Sequence, residues 1–396
     1  MERRSRKFFG VVASLLILPF FLIAQEDSSK VQKTAIFSGF NEAKAFKPFV
    51  AVEVWGTYNL GAGKSQVHDA NRIDFSLRRL RFGADGNPYP WLSYKLHFYA
   101  DRLGEDDFAF TKGSYGGISI WTAYLTLKIL KESDLFNVHA GYYWAAISRQ
   151  YNSSPWALMA FDKTRAGSLL RTFVTGKSNG IESGVGIGGL KNFNGFGISY
   201  RIGTYDPKAY VNPFSGSRLY TYRVMFSFGE PEANKYSYML TGNHWGKRIG
   251  VTVGFGWATQ KSGKLTDSTI WNRSDSYGTD LLFNYKGLRI DAEYFLMKRT
   301  ATNLDDFDGL EFHVQFGYMI PVLNTYVEPT VTYEKFEGKG NQSLFKYIGD
   351  EVTYDFGVNW FLDRQRVKLT LHYVVQEGSL SSSFGNYIGT SLLLKL

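Results

Sequence analysis

Between residues 277 and 296 apolar positions fall on every second residue, pause at one tight turn and resume. Tyr277, Thr279, Leu281, Phe283 and Tyr285 alternate with Gly278, Asp280 and Asn284; after Lys286-Gly287, Leu288, Ile290, Ala292, Tyr294 and Leu296 alternate with Arg289, Asp291 and Glu293. A period of two is that of a strand, whose side chains point to opposite faces in turn. One face of this hairpin is therefore apolar, and the other carries Asp280, Asn284, Arg289, Asp291 and Glu293. In a sandwich the apolar face meets a second sheet. In an outer-membrane barrel it meets lipid and the charged face lines water.

The same alternation recurs along nearly the whole chain and leaves no helix-period segment to cover an apolar sheet. It predicts strands near 49–60, 72–85, 91–103, 118–130, 136–148, 179–190, 195–205, 218–229, 248–260, 276–286, 287–299, 310–319, 324–336, 349–361, 365–376 and 386–396. Many are about 10 residues long, the length that crosses a bilayer at the usual tilt. Connections alternate too. Short ones carry turn residues, as in Asp85-Gly86-Asn87-Pro88 and Lys286-Gly287, and long ones lie between them, the longest at 149–178. The expectation is an all-β fold, a transmembrane antiparallel β-barrel of about 16 strands with short periplasmic turns and longer outer loops. The stretch 229–247, on the short side, does not fit that rhythm.

Composition adds detail. None of the 396 residues is cysteine, so disulfides and cysteine metal sites are excluded. Aromatics make up 17%, which suits interfacial girdles, with Trp55 and Tyr58, Trp121 and Tyr124, or Trp360 and Tyr373 as candidates. A mean hydropathy of -0.22 hides the apolar surface, because alternation averages it away. Arg3, Arg4, Arg6 and Lys7 precede an apolar run at 8–23, so residues 1–24 read as a signal peptide with a cut after Ala24. Its removal leaves 41 basic against 35 acidic residues, a net charge of +6. Residues 25–48 read as a periplasmic lead-in and 49–396 as the barrel. The alternation of Ile388, Leu392, Leu394 and Leu396 runs to the last residue, the kind of terminal strand that barrel assembly machinery reads.

Several segments together resemble a known family. They are Phe75-Ser76-Leu77-Arg78-Arg79-Leu80-Arg81-Phe82-Gly83, then Trp91-Leu92-Ser93-Tyr94-Lys95-Leu96-His97-Phe98, then Val138-His139-Ala140-Gly141-Tyr142, and the hairpin ending in Ala292-Glu293-Tyr294. In these the chain is similar to the outer-membrane phosphate-selective porins of the O and P type. Where that family has a proline after the Gly141 position, this chain reads Tyr142-Tyr143-Trp144-Ala145-Ala146. The resemblance implies a sixteen-stranded barrel, commonly a homotrimer, with a long loop folded inward to narrow the channel.

The candidate site lies in that loop. Arg149, Lys163, Arg165, Arg171 and Lys177 are opposed only by Asp162 between residues 149 and 178. If the loop enters the lumen, these cations focus a positive potential at the narrowest point, and arginine forks match phosphate oxygens in pairs. Arg78 and Lys95 join them as inward-pointing wall cations, with Lys128, Arg201, Arg223, Arg289 and Lys368. Wall acids expected beside them are Glu53, Asp74, Asp101, Asp280, Asp291, Glu293, Glu311, Glu328 and Asp355. Opposite charges on neighbouring strands can also brace the wall.

Catalytic signatures do not hold up. Gly176-Lys177-Ser178-Asn179-Gly180 has the spacing of a hydrolase elbow but no buried strand before it or helix after it. Gly184-Val185-Gly186-Ile187-Gly188-Gly189 has dinucleotide spacing with no helix to receive a pyrophosphate. Asp305, Asp306 and Asp308 are read as a solvated outer loop rather than a calcium loop, because Leu304 stands at the first ligand position. His97, His139, His313 and His372 fall on inward positions, and no two have metal-ligand spacing. No catalytic residue, cofactor or metal is assigned, and nothing points to nucleic acid. The function expected is an outer-membrane porin for passive diffusion of small hydrophilic solutes, with preference for small anions or phosphate, in contact with lipid and lipopolysaccharide. The competing expectation is a non-conducting surface protein that binds ligands through aromatic loops such as 151–161 or 261–271.

Overall fold

The computed structural model describes residues 39–60, 73–101, 117–207, 217–240, 242–261, 263–264, 270–380 and 385–396. The expected signal peptide lies outside them. Residues 41–396 form one compact unit, and its strands are β1 (Lys47–Asn59), β2 (Ile73–Tyr89), β3 (Leu92–Tyr99), β4 (Ser119–Lys128), β5 (Asn137–Trp144), β6 (Ile181–Phe193), β7 (Phe196–Tyr205), β8 (Leu219–Gly229) and β9 (Gly250–Gln260), followed by β10 (Arg273–Tyr285), β11 (Leu288–Ala301), β12 (Leu304–Tyr318), β13 (Thr325–Gly340), β14 (Gly349–Asp363), β15 (Val367–Glu377) and β16 (Tyr387–Lys395). Each pairs antiparallel with the next, and β16 returns to β1 with Lys395 opposite Ala51 and Tyr387 opposite Asn59. Sixteen strands thus close a barrel, which leaves no unpaired edge.

Strand positions match the alternation closely, and the turns show why. Lys286 and Gly287 have φ of 44° and 96°, the paired positive angles of a two-residue hairpin turn that matches strand twist. One connection is shorter than expected. β11 runs to Ala301 and β12 restarts at Leu304, so Asp305, Asp306 and Asp308 sit on a strand, where Lys298 Nζ lies 3.3 Å from Asp306 Oδ2. In the other direction, β5 stops at Trp144 instead of near 148, because the chain there leaves the wall.

Outside the barrel, Val54, Phe356, Val358, Trp360, Leu371 and Tyr373 are exposed and form the apolar surface. Trp360 and Tyr373 face outward, as a girdle requires. Trp55 and Tyr124 are buried inside instead, and Trp121 also faces inward, stacked under Arg81 at 3.8 Å. The interior is not purely polar, because it has a folded segment to pack against.

Two bulges reset the alternation. Glu53 pairs with Arg79 and Val54 with Leu77, so Arg78 is the extra residue of β2, and both Arg78 and Arg79 reach inward. Likewise His97 pairs with Thr122 and Phe98 with Ile120, leaving Trp121 as the extra residue of β4.

Candidate functional site

After Trp144 the chain turns into the barrel and stays there until Ile181. It forms α2 (Arg149–Asn152), a 3-10 turn (Pro155–Ala157) and α3 (Arg165–Thr175), where α1 is the short Glu42–Ala45 turn ahead of β1. Thr164 caps α3 by accepting from the Gly167 N–H at 3.2 Å, and Gly176 ends it in the left-handed conformation at φ 78°. Leu169, Leu170 and Phe173 bury against the wall. Phe173 packs on Phe307 and Phe345 at 5.5 and 5.4 Å, and Arg299 caps the helix end by donating to Phe173 O at 2.7 Å.

A loop crossing a closed interior must satisfy its backbone groups, and here wall side chains do so. Ile147 O accepts from Arg223 Nη1 at 2.9 Å, Ala157 O from Arg289 Nη1 at 3.3 Å, and Leu158 O from Lys368 Nζ at 3.2 Å. Met159 O accepts from Asn359 Nδ2 at 2.8 Å, and the Phe161 N–H donates to Asp355 Oδ2 at 2.7 Å. Inner-face glycines make room for the segment. A methyl at Gly256 would overlap the Ile147 carbonyl, and one at Gly389 would overlap the Phe161 ring. Of the expected strand braces, Arg223 with Asp280 at 2.9 Å is one, but Arg289, Lys368 and Asp355 chiefly anchor the loop.

Residues 230–249, which did not fit the strand rhythm, form no barrel strand and enter from the opposite end. Arg201 holds Ser237 O and Tyr238 O at 2.7 and 3.1 Å, His139 Nε2 meets Tyr236 OH at 2.8 Å, and Tyr238 OH donates to Trp144 O. The Leu240 N–H donates to Asn152 O at 3.0 Å, so the two in-folded segments touch.

Between the loop and the wall lies a cavity of about 890 Å³. Arg78, Arg79, Arg81, Lys163, Arg165 and Arg171 line it together with Asp101, Asp162, Glu334 and Asp355, and Trp55, Trp121, Trp144 and Phe161 supply apolar surface. Of the cations named from sequence, Arg78, Lys163, Arg165 and Arg171 come together here. Arg149 is buried elsewhere, against Glu232 and 3.5 Å from Asp280. Lys177 pairs with Glu182 at 3.0 Å and Lys95 with Asp85 at 3.3 Å, both away from the cavity. Residues 151–161 are inside the barrel, so they are not a surface loop: Tyr151, Trp156 and Phe161 are all buried. Of 261–271, residues 262 and 265–269 lie outside the described residues.

The loop's one acid is neutralised on the spot. Arg78 Nη2 lies 2.5 Å from Asp162 Oδ2 and Arg79 also binds Asp162; burial alone would raise this carboxyl, and the two guanidiniums hold it well below the usual range. Arg81 pairs with Asp101 at 2.8 Å and Arg165 with Glu351 at 2.7 Å. Lys163 and Arg171 differ. Lys163 Nζ donates to Gln150 O at 2.8 Å and Arg171 Nε to Ser178 O at 2.7 Å, while Arg171 Nη1 is buried without a partner. Burial, then Arg171, Arg81 and Arg79, push the Lys163 ammonium well down. Sequence reasoning missed Arg79 and Arg81; the doublet Arg78-Arg79 between Leu77 and Leu80 was the available sign of a bulge.

A closed sixteen-strand barrel with an in-folded loop defines a porin of the outer membrane. The family described as phosphate-selective porin O and P matches residues 52–384, and the chain belongs to it. Among solved structures the fold is shared with an anion-selective porin from Comamonas acidovorans (TM-score 0.60, 12% identity, covering 89% of this chain and 99% of that one). It is shared also with OprB of Pseudomonas putida (0.57, 11%, 89% and 95%) and the outer membrane channel DcaP of Acinetobacter baumannii (0.54, 13%, 90% and 99%). No curated protein is significantly similar in sequence.

Proposed function

We propose that this porin passes small anions in preference to cations, with Lys163 and Arg171 as the groups that attract them and no chemistry performed on the solute. The observation that carries this reading is that, among the described residues, neither has a carboxylate within ion-pair distance, yet both border the cavity. In a partly desolvated site an unpaired cation keeps its field. Arg171 Nη1 is buried without a partner, so the charge of this guanidinium stays uncompensated at the cavity wall and acts on an oxyanion such as phosphate through its field. Arg78, Arg79 and Arg81 set the background potential, reduced by Asp162 and Asp101. The test is the reversal potential of the refolded protein in a planar bilayer under a salt gradient. The expected result is an anion-selective current that added phosphate reduces. A cation-selective or unselective current refutes the reading.

The homotrimer implied by the family receives support from the wall. β3 has eight residues and β5 eight, which at a tilt near 45° give about 19 Å of height, short of the roughly 25 Å apolar band of such barrels. A neighbouring subunit covers that deficit. OmpT of Vibrio cholerae, another barrel of this fold, is described in a trimer form (TM-score 0.54, 11% identity).

A further inference from the structure

On the inner face of β11 and β12, Glu293 stands directly opposite His313, Asp291 lies two residues along on one side, and Glu311 two residues along on the other. All four are buried, with Glu311 and His313 fully so. One ligand atom each from Asp291, Glu293 and His313 lies within 4.8 Å of the others. We infer that these three residues form a binding site for a divalent first-row transition cation of the zinc type, oriented by Glu311.

The hydrogen bonding points to a missing cation. His313 Nδ1 lies 2.8 Å from Glu311 Oε1, so a neutral ring held by that bond carries its proton on Nδ1 and presents Nε2 as an acceptor. Nε2 then faces acceptors: Asp291 Oδ1 lies 3.7 Å away, too far for a hydrogen bond. Asp291 Oδ1, Glu293 Oε2 and His313 Nε2 are all buried without a partner. Three lone-pair atoms converging in a buried place are repulsive unless a cation or shared protons lie among them. The guanidiniums facing Asp291 make no hydrogen bond to it: the Arg149 Nη groups bind Glu232 and Arg289 Nη1 binds Ala157 O.

The ligand set selects the ion class. Imidazole with two carboxylates suits zinc and its neighbours better than calcium or magnesium. Tetrahedral zinc, with ligands at about 2.0–2.1 Å, keeps them roughly 3.4 Å apart; His313 Nε2 and Asp291 Oδ1 stand 3.7 Å apart and all three ligand atoms lie within 4.8 Å, so the site closes slightly around the ion. A carboxylate behind the histidine is the usual orienting partner of a metal-bound imidazole. Asp291 keeps 10% of its side chain exposed, which gives the ion access. Glu293 Oε1 accepts from the Gln150 N–H, so a bound ion also stiffens the wall under the in-folded loop.

The test uses the full refolded barrel, prepared in chelator-treated buffer, dialysed against Zn²⁺ and analysed for metal by mass spectrometry. The expected result is one zinc per chain, with affinity lowered at least tenfold in H313Q and E293Q. E311Q, which keeps the ligands but disturbs the ring, lowers it by about 10- to 100-fold. Should H313Q fail to fold, E293Q and D291N carry the test, since each removes one charge at nearly constant volume. A folded wild-type barrel that retains no zinc overturns the inference in favour of shared protons, and so does zinc retained equally by every variant.

Discussion

Arg149 Nη1 and Nη2 stand 2.7 and 2.8 Å from the two carboxylate oxygens of Glu232, joining the segment that enters the barrel from one end to the segment that enters from the other. Both side chains are nearly buried, at 3% and 7% exposure.

Breaking one side of this pair strands a buried charge, a loss on the order of 3–5 kcal/mol. E232Q is therefore expected to release residues 230–249, raising single-channel conductance and exposing that segment to protease. Acid does so only late. Burial alone would raise the Glu232 carboxyl, but Arg149 outweighs it and holds it down to about 2. The pair's contribution is complete above the ordinary carboxyl value of 4.5 and is lost as the pH falls from there through about 2. Protection that disappears already at pH 6 would rule out this linkage.

Lys163 makes anion preference pH-dependent on the alkaline side. Its ammonium is lowered by burial first and then by Arg171, Arg81 and Arg79, so the charge is present at low pH and lost at a pH well below the ordinary lysine value of 10.5. Anion selectivity is expected to fall as the pH rises through that point. K163R should abolish the dependence, because arginine stays charged. A reversal potential that is flat with pH in both proteins counts against a role for Lys163.

Asp162 restrains the arginines of β2. D162N removes one negative charge from the cavity; at about 10 Å and an effective dielectric near 40 this favours an anion and disfavours a cation by about 0.8 kcal/mol each, roughly a 15-fold rise in the anion-to-cation permeability ratio. Reversal potentials at low salt give the ratio, and an unchanged value would mean that solutes do not pass this wall.

Gly256 is the socket for the loop's first step. G256V forces the Ile147 carbonyl off the wall and breaks its bond from Arg223. The expected result is a correctly folded barrel with larger and noisier single-channel currents; steady wild-type conductance would show that the loop tolerates the shift.

Self-association on the short wall is tested on Leu96 and Leu125, both outward-facing on β3 and β4. L96Q with L125Q is expected to convert trimers to monomers in detergent, measured by light scattering. L371Q, on the outer face of β15, should leave the assembly intact.

How much of this was legible in the sequence depended on how local each feature is. Strand positions follow from period-two alternation and from turns such as Lys286-Gly287, which need no partner elsewhere in the chain. The basic loop could be named for the same reason, and the expectation that it enters the lumen agrees with its course. Its internal sorting could not be read. Arg149 leaves the cluster because Glu232, 83 residues away, meets it; Lys177 leaves because Glu182 does. Arg79 was not counted among the inward cations and Trp121 was expected in a girdle, because the one follows a bulge and the other sits at one, where an extra residue shifts the parity on which inward and outward assignments rest. In residues 230–249 the short alternation of Tyr236, Tyr238 and Leu240 makes no barrel strand, because Arg201, His139 and Asn152 hold this segment inside.

The arginines of β2 and the acids Glu334 and Asp355 of β13 and β14 border one cavity from different parts of its wall. Each of these arginines has an acid beside it, Arg78 and Arg79 sharing Asp162, Arg79 also meeting Glu53 and Arg81 meeting Asp101, so the passage meets local dipoles set into its wall rather than one net charge. A solute with separated charges is turned by such dipoles as it passes them. Discrimination can then begin with orientation: two molecules of equal size and net charge, differing only in the direction of their dipole, would meet different resistance.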